Sequence, residues 1–163
     1  MSGAGALERL ARHLAALERI VISTLMAVIT ILTLAQVIWR YGLELPLQWS
    51  EEIARYCFVW VTFLGAAALM RLHDGHPAID ALYLAVGPNV QRVMDIASRT
   101  VVIVGTLAIA VGGFRMVQLQ WNQLSPSVEI PMAWIYLSMF LGPLIGVFWV
   151  IWVARYGCLE DET

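Results

Sequence analysis

Four long apolar stretches constrain the fold of this chain more than any other feature of its sequence. The first, residues 20–39, reads IVISTLMAVITILTLAQVIW, and a helix of about 20 such residues crosses a hydrocarbon core about 30 Å thick. Hydrophobic residues make up 60% of the chain and charged residues only 13%, whereas about a quarter of a soluble domain is charged. The sequence therefore predicts an all-α membrane protein, a single membrane domain over residues 1–163 that spans at residues 20–39, 51–70, 95–118 and 131–154.

Two further helices are predicted outside these spans. Residues 1–19 place leucines at helical spacing among charged residues, the pattern of an amphipathic helix on the membrane surface. A secretory signal peptide is the alternative, but no small-residue cleavage site follows the first span, which favours an uncleaved anchor. Between the second and third spans, Pro77 can open a short interfacial helix whose apolar residues recur at helical spacing: Ile79, Leu82, Tyr83 and Val86.

Several classes of function are excluded by what the sequence lacks. The formal net charge of -2 offers no basic surface for nucleic acid. No histidine lies within a span to ligate a haem, and we find no phosphate-binding loop, dinucleotide fingerprint or catalytic triad. His73 and His76, with Asp74 or Asp80, lack the further ligands that a metal site needs. We therefore expect no enzyme, no cofactor and no bound metal.

The second span opens with charged residues that an apolar helix seldom carries. Ser50 suits the N-cap, and Glu51 and Glu52 complement the positive end of the helix dipole. Arg55 lies four residues after Glu51 and three after Glu52, so its guanidinium can pair with either carboxylate. Two interpretations remain open: a self-neutralised cluster at the membrane interface, or a contact with a partner subunit or polar pathway.

Small residues in the last two spans indicate close helix packing. Gly105, Ala108 and Gly112 share one face of the third span and permit a neighbouring helix to approach. Gly142 and Gly146 form a G-x-x-x-G pattern in the fourth span, although the proline between them indicates a kink as much as a dimer face.

The distribution of arginine predicts the orientation. With a cytoplasmic N-terminus, seven of the ten arginines lie on the cytoplasmic side and three on the other. Because cytoplasmic loops carry the excess of basic residues, both termini are expected in the cytoplasm.

Motifs along the chain resemble those of a known family, the small membrane subunit (DctQ type) of TRAP, or tripartite ATP-independent periplasmic, transporters. The resemblance covers the whole chain in topology, and its specific motifs are concentrated between residues 40 and 80. The matching residues are Arg40-Tyr41, the run Trp49-Ser50-Glu51-Glu52-Ile53-Ala54-Arg55-Tyr56, Phe63-Leu64-Gly65-Ala66-Ala67, Arg71, Gly75-His76, Ile79-Asp80, Ile130-Pro131, Trp134 and Tyr136.

This resemblance implies a non-catalytic scaffold in the bacterial inner membrane. The chain would support a large DctM-type membrane subunit that takes up an organic acid or related solute with sodium, after a periplasmic substrate-binding protein has delivered it. Besides membrane lipid, those two proteins are the implied partners. The residues expected at partner interfaces are Arg40, Trp49, Glu51, Glu52, Arg55, Tyr56, His76 and Asp80.

Two other functions remain open from the sequence. One is a small homo-oligomeric carrier or exporter that uses Glu51, Glu52 or Asp95 as its proton-carrying group. The other is a membrane-assembly or regulatory factor with no role in transport.

Overall fold

The described part of the chain forms four α-helices. The computed structural model describes residues 2–42, 47–72 and 87–157, excluding the side chains of residues 2–4 and 72. The helices are α1 (Ser2–Gly42), α2 (Gln48–Leu72), α3 (Pro88–Leu119) and α4 (Ala133–Tyr156). Each is long and apolar enough to cross a membrane, and the described residues form no strand beyond one isolated bridge. The predicted all-α membrane fold is confirmed.

The amphipathic N-terminal segment and the first span are one continuous helix. No glycine or proline interrupts residues 6–41, so nothing in the sequence breaks the backbone hydrogen bonding. The 41 residues of α1 extend about 60 Å, twice the thickness of a hydrocarbon core. The short interfacial helix predicted between the second and third spans lies outside the described residues.

The helices pack in the order α1–α2–α4–α3, each mainly against its neighbours in that order. A third of the most apolar part of α4 is buried within the chain, whereas none of the corresponding part of α1 is. The two central helices, α2 and α4, therefore supply most of the internal packing, and α1 and α3 expose long apolar faces.

The G-x-x-x-G pattern of α4 brings α4 close to α2. A Cβ atom on Gly142 would lie 2.7 Å from Cβ of Phe63 and 2.9 Å from its backbone carbonyl carbon. At Gly146 a Cβ would lie 2.8 Å from Sδ of Met70. Because no side chain fits at the first of these positions, the two glycines serve packing within the chain.

Helix α3 contacts α4 through a different set of small residues from the one predicted. Gly105, Ala108 and Gly112 are exposed, and the space around both glycines is open. Residues Thr106, Ala110 and Gly113 are the buried ones. A Cβ on Gly113 would lie 2.7 Å from the backbone carbonyl of Met139. Periodicity showed small residues on α3 but did not show which face meets a neighbour, because consecutive residues differ by about 100° around a helix.

The connection between α3 and α4 is a closed loop. The Ser125 N–H donates to the carbonyl of Ile130 at 2.9 Å, and the Met132 N–H donates to the carbonyl of Gln123 at 2.8 Å. Leu124 and Pro131 form the isolated antiparallel bridge between these two bonds. We call residues 120–132 the α3–α4 loop.

Candidate functional site

The start of α2 differs in one detail from the sequence prediction. The helix begins at Gln48, so Ser50 lies inside its first turn and is not the N-cap. The Ser50 hydroxyl donates to the carbonyl of Leu47 at 2.7 Å. Ser50 is buried, and this bond ties its side chain to Leu47, the residue that precedes the helix.

Glu51 and Arg55 form an exposed ion pair. The Nη2 atom of Arg55 lies 3.3 Å from Oε1 of Glu51, and their side chains are 68% and 62% exposed, respectively. Of the two carboxylates that Arg55 could have paired with, the structure therefore selects Glu51. An exposed pair of this kind contributes little to stability, so its value lies in what it presents at the surface.

Glu52 points the other way and is buried, with only 7% of its surface exposed. One carboxylate oxygen accepts a hydrogen bond from the Tyr56 hydroxyl, and the other accepts one from the backbone N–H of Ser127 at 2.8 Å. The second bond joins two residues that lie 75 positions apart in the sequence. Glu52 thus holds the α3–α4 loop against α2.

A cleft of about 560 Å³ opens between the first halves of α2 and α4. The residues that α2 contributes are polar near the start of the helix and apolar at Val59, and one turn further along α2 Phe63 meets Gly142. We call it the α2–α4 cleft. Its lining residues are Gln48, Glu51, Glu52, Arg55, Tyr56, Val59, Pro126, Ser127, Met132, Ile135, Tyr136 and Met139.

The structure brings four of the predicted interface residues together in this cleft: Glu51, Glu52, Arg55 and Tyr56. Arg40 is exposed in the last turn of α1, and Trp49 is exposed in the first turn of α2, neither lining the cleft. His76 and Asp80 lie outside the described residues. Within the part of the chain that the structure describes, no group of metal-ligating side chains is large enough to hold an ion.

A second polar cluster, at the opposite end of the helices, was not predicted. Glu18 is 97% buried, and one of its carboxylate oxygens accepts a hydrogen bond from the Trp149 indole N–H at 3.0 Å. The Arg71 guanidinium lies 5.5 Å from the centre of the Trp149 ring, a cation–π distance. Ala11 and Ala15 complete the contact on α1. We call Glu18, Arg71 and Trp149 the Glu18 cluster, and it joins α1, α2 and α4.

The spacing of charged and apolar residues along α1 did not predict the Glu18 cluster. Glu18 appeared to belong to the polar face of an amphipathic helix, and its hydrogen-bond partner lies 131 positions away. The one available signal was the small residues Ala11 and Ala15 on the same side of α1 as Glu18, where a large side chain can approach closely.

The comparisons with known proteins agree with this architecture. The family model described as "Tripartite ATP-independent periplasmic transporters, DctQ component" matches residues 29–157. A Haemophilus influenzae protein provisionally named TRAP transporter small permease protein is 28% identical over 130 residues, 80% of each chain. A second protein of that organism with the same name is 25% identical over 146 residues, 90% of this chain and 85% of the relative. The matched region includes both helices that form the α2–α4 cleft. Because the family model matches most of its length, this chain belongs to the DctQ family of TRAP transporter small permease subunits.

Proposed function

We propose that this chain is a non-catalytic scaffold for a DctM-type large membrane subunit in the bacterial inner membrane. The large subunit carries the solute, an organic acid or a related compound, together with sodium ions. A periplasmic binding protein delivers the solute. Membership in the DctQ family supports the existence of such a complex.

The observation that carries this proposal is the absence of charge from the middle of every span. Residues 20–39, 56–70, 100–114 and 130–154 contain no Asp, Glu, Lys, Arg or His. An ion-coupled carrier binds its substrate and ions near the middle of the bilayer, through polar groups or broken helices. Here that level of α2 and α4 is filled by the contact of Gly142 with Phe63. The transport site is therefore assigned to the partner.

The candidate interface residues divide into two roles in this proposal. Arg40, Trp49, Glu51 and Arg55 are exposed and offer a docking surface near the end of the helices where α2 begins. Glu52 and Tyr56 support that surface from behind, because they hold the α3–α4 loop in place. His76 and Asp80 are proposed as contacts at the other end, following α2.

Retention of the large subunit tests the scaffold role. We expect the affinity-tagged chain, co-expressed with the large subunit of the same transporter, to retain that subunit through purification in detergent. Vesicles that contain both subunits and receive the binding protein should take up solute along a sodium gradient, whereas vesicles with this chain alone should not. Uptake by this chain alone would support the homo-oligomeric carrier and overturn the scaffold.

The proposed orientation places both termini in the cytoplasm and the α3–α4 loop in the periplasm. It follows from the ten arginines, of which seven lie on the predicted cytoplasmic side and three on the other. In a chain from which Cys57 and Cys158 have been removed, Ser127→Cys should react with a membrane-impermeant maleimide in intact spheroplasts. Gly5→Cys, near the N-terminus, should react only after lysis. The reverse labelling pattern would require the opposite orientation.

A further inference from the structure

The α2–α4 cleft combines charged residues of α2 with apolar residues of both helices, a lining that suits a long basic side chain. We propose that it receives an arginine or lysine presented by a membrane helix of the large subunit. This inference rests on the proposed scaffold function and specifies where, and through which chemistry, the two subunits meet.

The cleft adjoins a strip of α2 that the chain itself leaves uncovered. Helices α1 and α4 flank α2, and the exposed positions between them recur every three or four residues. Phe58 is 61% exposed and Leu69 is 66% exposed on this strip. A partner helix that lay along the strip would pass Glu51 and Arg55, which line the cleft. The exposed positions of the strip are Glu51, Arg55, Phe58, Thr62, Ala66 and Leu69.

The lining that α2 contributes changes from polar to apolar along the helix. Glu51 and Arg55 lie within the first two turns of α2, while Val59 and Met139 lie nearer the contact of Phe63 with Gly142. An arginine or lysine has a matching division, because its aliphatic stem packs on apolar surface while its charged end stays among polar groups. Methionine is unbranched and flexible, so Met132 and Met139 can adjust to an inserted stem.

The charged residues that line the cleft favour a cation over an anion. Two carboxylates, those of Glu51 and Glu52, and one guanidinium, that of Arg55, line the cleft. Glu52 already accepts hydrogen bonds from Tyr56 and Ser127, whereas Glu51 makes a single 3.3 Å contact with Arg55. Glu51 can therefore accept hydrogen bonds from a second cation. The excess of negative charge disfavours an anionic lipid headgroup, which makes a basic protein side chain the better occupant.

Two substitutions test the cleft in the assembled complex. Glu51→Arg replaces the acceptor by a like charge, and Val59→Trp fills the apolar part. We expect each to reduce the amount of large subunit retained by the tagged chain at least about ten-fold, the equivalent of about 1.4 kcal/mol. Glu129→Arg is the matched control, because it makes the same charge change on an exposed residue of the α3–α4 loop that does not line the cleft. It should retain the large subunit as the wild type does.

A photo-crosslinking amino acid in place of Phe58, which is exposed on the strip beside the cleft, identifies the occupant without filling the cleft. We expect it to capture a segment of the large subunit with an arginine or lysine within one helical turn of the crosslinked residue. Replacing that basic residue by glutamate should restore retention to the Glu51→Arg variant. Capture of a segment without a basic residue, or no rescue by the exchanged charges, overturns the inference.

The remaining outcomes separate this inference from the scaffold function. If the wild type retains no large subunit, the scaffold function fails and the inference falls with it. If the wild type, Glu51→Arg and Val59→Trp chains all retain it equally, only the inference is overturned. Native mass spectrometry then distinguishes a lipid occupant, because Val59→Trp would lose a bound phospholipid while keeping the large subunit. A monodisperse elution profile for each variant shows that the substituted chains still fold.

Discussion

Adjacent residues of one helix can have opposite roles, as Glu51 and Glu52 do. Successive residues of an α-helix point about 100° apart, so Glu51 faces outward while Glu52 faces the α3–α4 loop. One carboxylate carries charge at the surface, and the other holds the α3–α4 loop beside it. The pair of acids in the sequence is therefore one exposed group and one structural group.

Removing the Glu52 carboxylate should loosen the α3–α4 loop. In Glu52→Ala, the Ser127 N–H and the Tyr56 hydroxyl lose their acceptor, and the loop loses its side-chain link to α2. We expect the Ser127 amide to exchange with deuterium roughly ten-fold faster or more, because local opening becomes easier. Glu51→Ala is the control and should leave that rate unchanged. Equal exchange rates in the two variants would show that Glu52 does not hold the loop.

Two neighbouring glycines provide a matched test of helix packing. In Gly113→Ala the new methyl group would lie 2.7 Å from the Met139 carbonyl, so α3 and α4 must move apart. We expect a loss of about 1–3 kcal/mol in stability from this overpacking. Gly112→Ala places its methyl group in open space and should gain up to about 1 kcal/mol from better helix propensity. Thermal unfolding in detergent measures both changes in stability. A similar change of the unfolding temperature in the two variants would contradict the assigned packing face.

At the level of whole elements, the Glu18 cluster explains how α1 is held. The most apolar part of α1 has no fully buried residue, but the first half of the helix contacts two other helices through Ala11, Ala15 and Glu18. A buried carboxylate is costly unless it is hydrogen-bonded or paired. The indole N–H of Trp149 meets part of that need and links α1 to α4, the helix at the centre of the packing.

Breaking that link should release the first half of α1. In Trp149→Phe the buried Glu18 carboxylate loses its donor, which we expect to cost about 1.5–3 kcal/mol and to speed amide exchange in residues 11–18. A second substitution, Glu18→Leu, removes the stranded carboxylate and should recover part of that loss, because two apolar partners need no hydrogen bond. If the losses from Glu18→Leu and Trp149→Phe simply added in the double variant, the hydrogen bond between the two side chains would not be the source of the effect.

Sequence reasoning found the elements but not the contacts between them. Hydropathy located all four helices, since the need to satisfy backbone groups in lipid leaves few alternatives to an apolar helix. The spacing of Arg55 after Glu51 and Glu52 predicted an ion pair with one of the two, and the structure forms it with Glu51. The bonds from Glu52 to Ser127 and from Trp149 to Glu18 join residues 75 and 131 positions apart. Such contacts depend on which helices are neighbours, and periodicity within one helix carries no information about that.

For the molecule as a whole, the helix order α1–α2–α4–α3 leaves much apolar surface on its sides. Helices in lipid gain no hydrophobic energy from meeting one another, so close association depends on packing and polar contacts. In the part of the chain that the structure describes, neighbouring helices come closest at Gly113, Gly142 and Gly146. In the proposed complex, this uncovered apolar surface is available to the large subunit.

Neutral substitution of its acidic residues decides whether this molecule itself moves ions. If the chain were a carrier, Glu51, Glu52 or Asp95 would have to gain and lose a proton in each cycle. Asparagine in place of Asp95 keeps the shape of that side chain but cannot titrate, and glutamine does the same at Glu51. We expect the assembled transporter carrying Asp95→Asn to keep its sodium-driven uptake within a few-fold, because Asp95 lies near the start of α3, away from the middle of the span. Glu51→Gln should change uptake only as far as it lowers the amount of assembled complex, so the rate per complex stays constant. A rate per complex that fell about a hundred-fold or more, the loss typical when a proton-transferring group is removed, would place the transport chemistry in this chain and not in its partner.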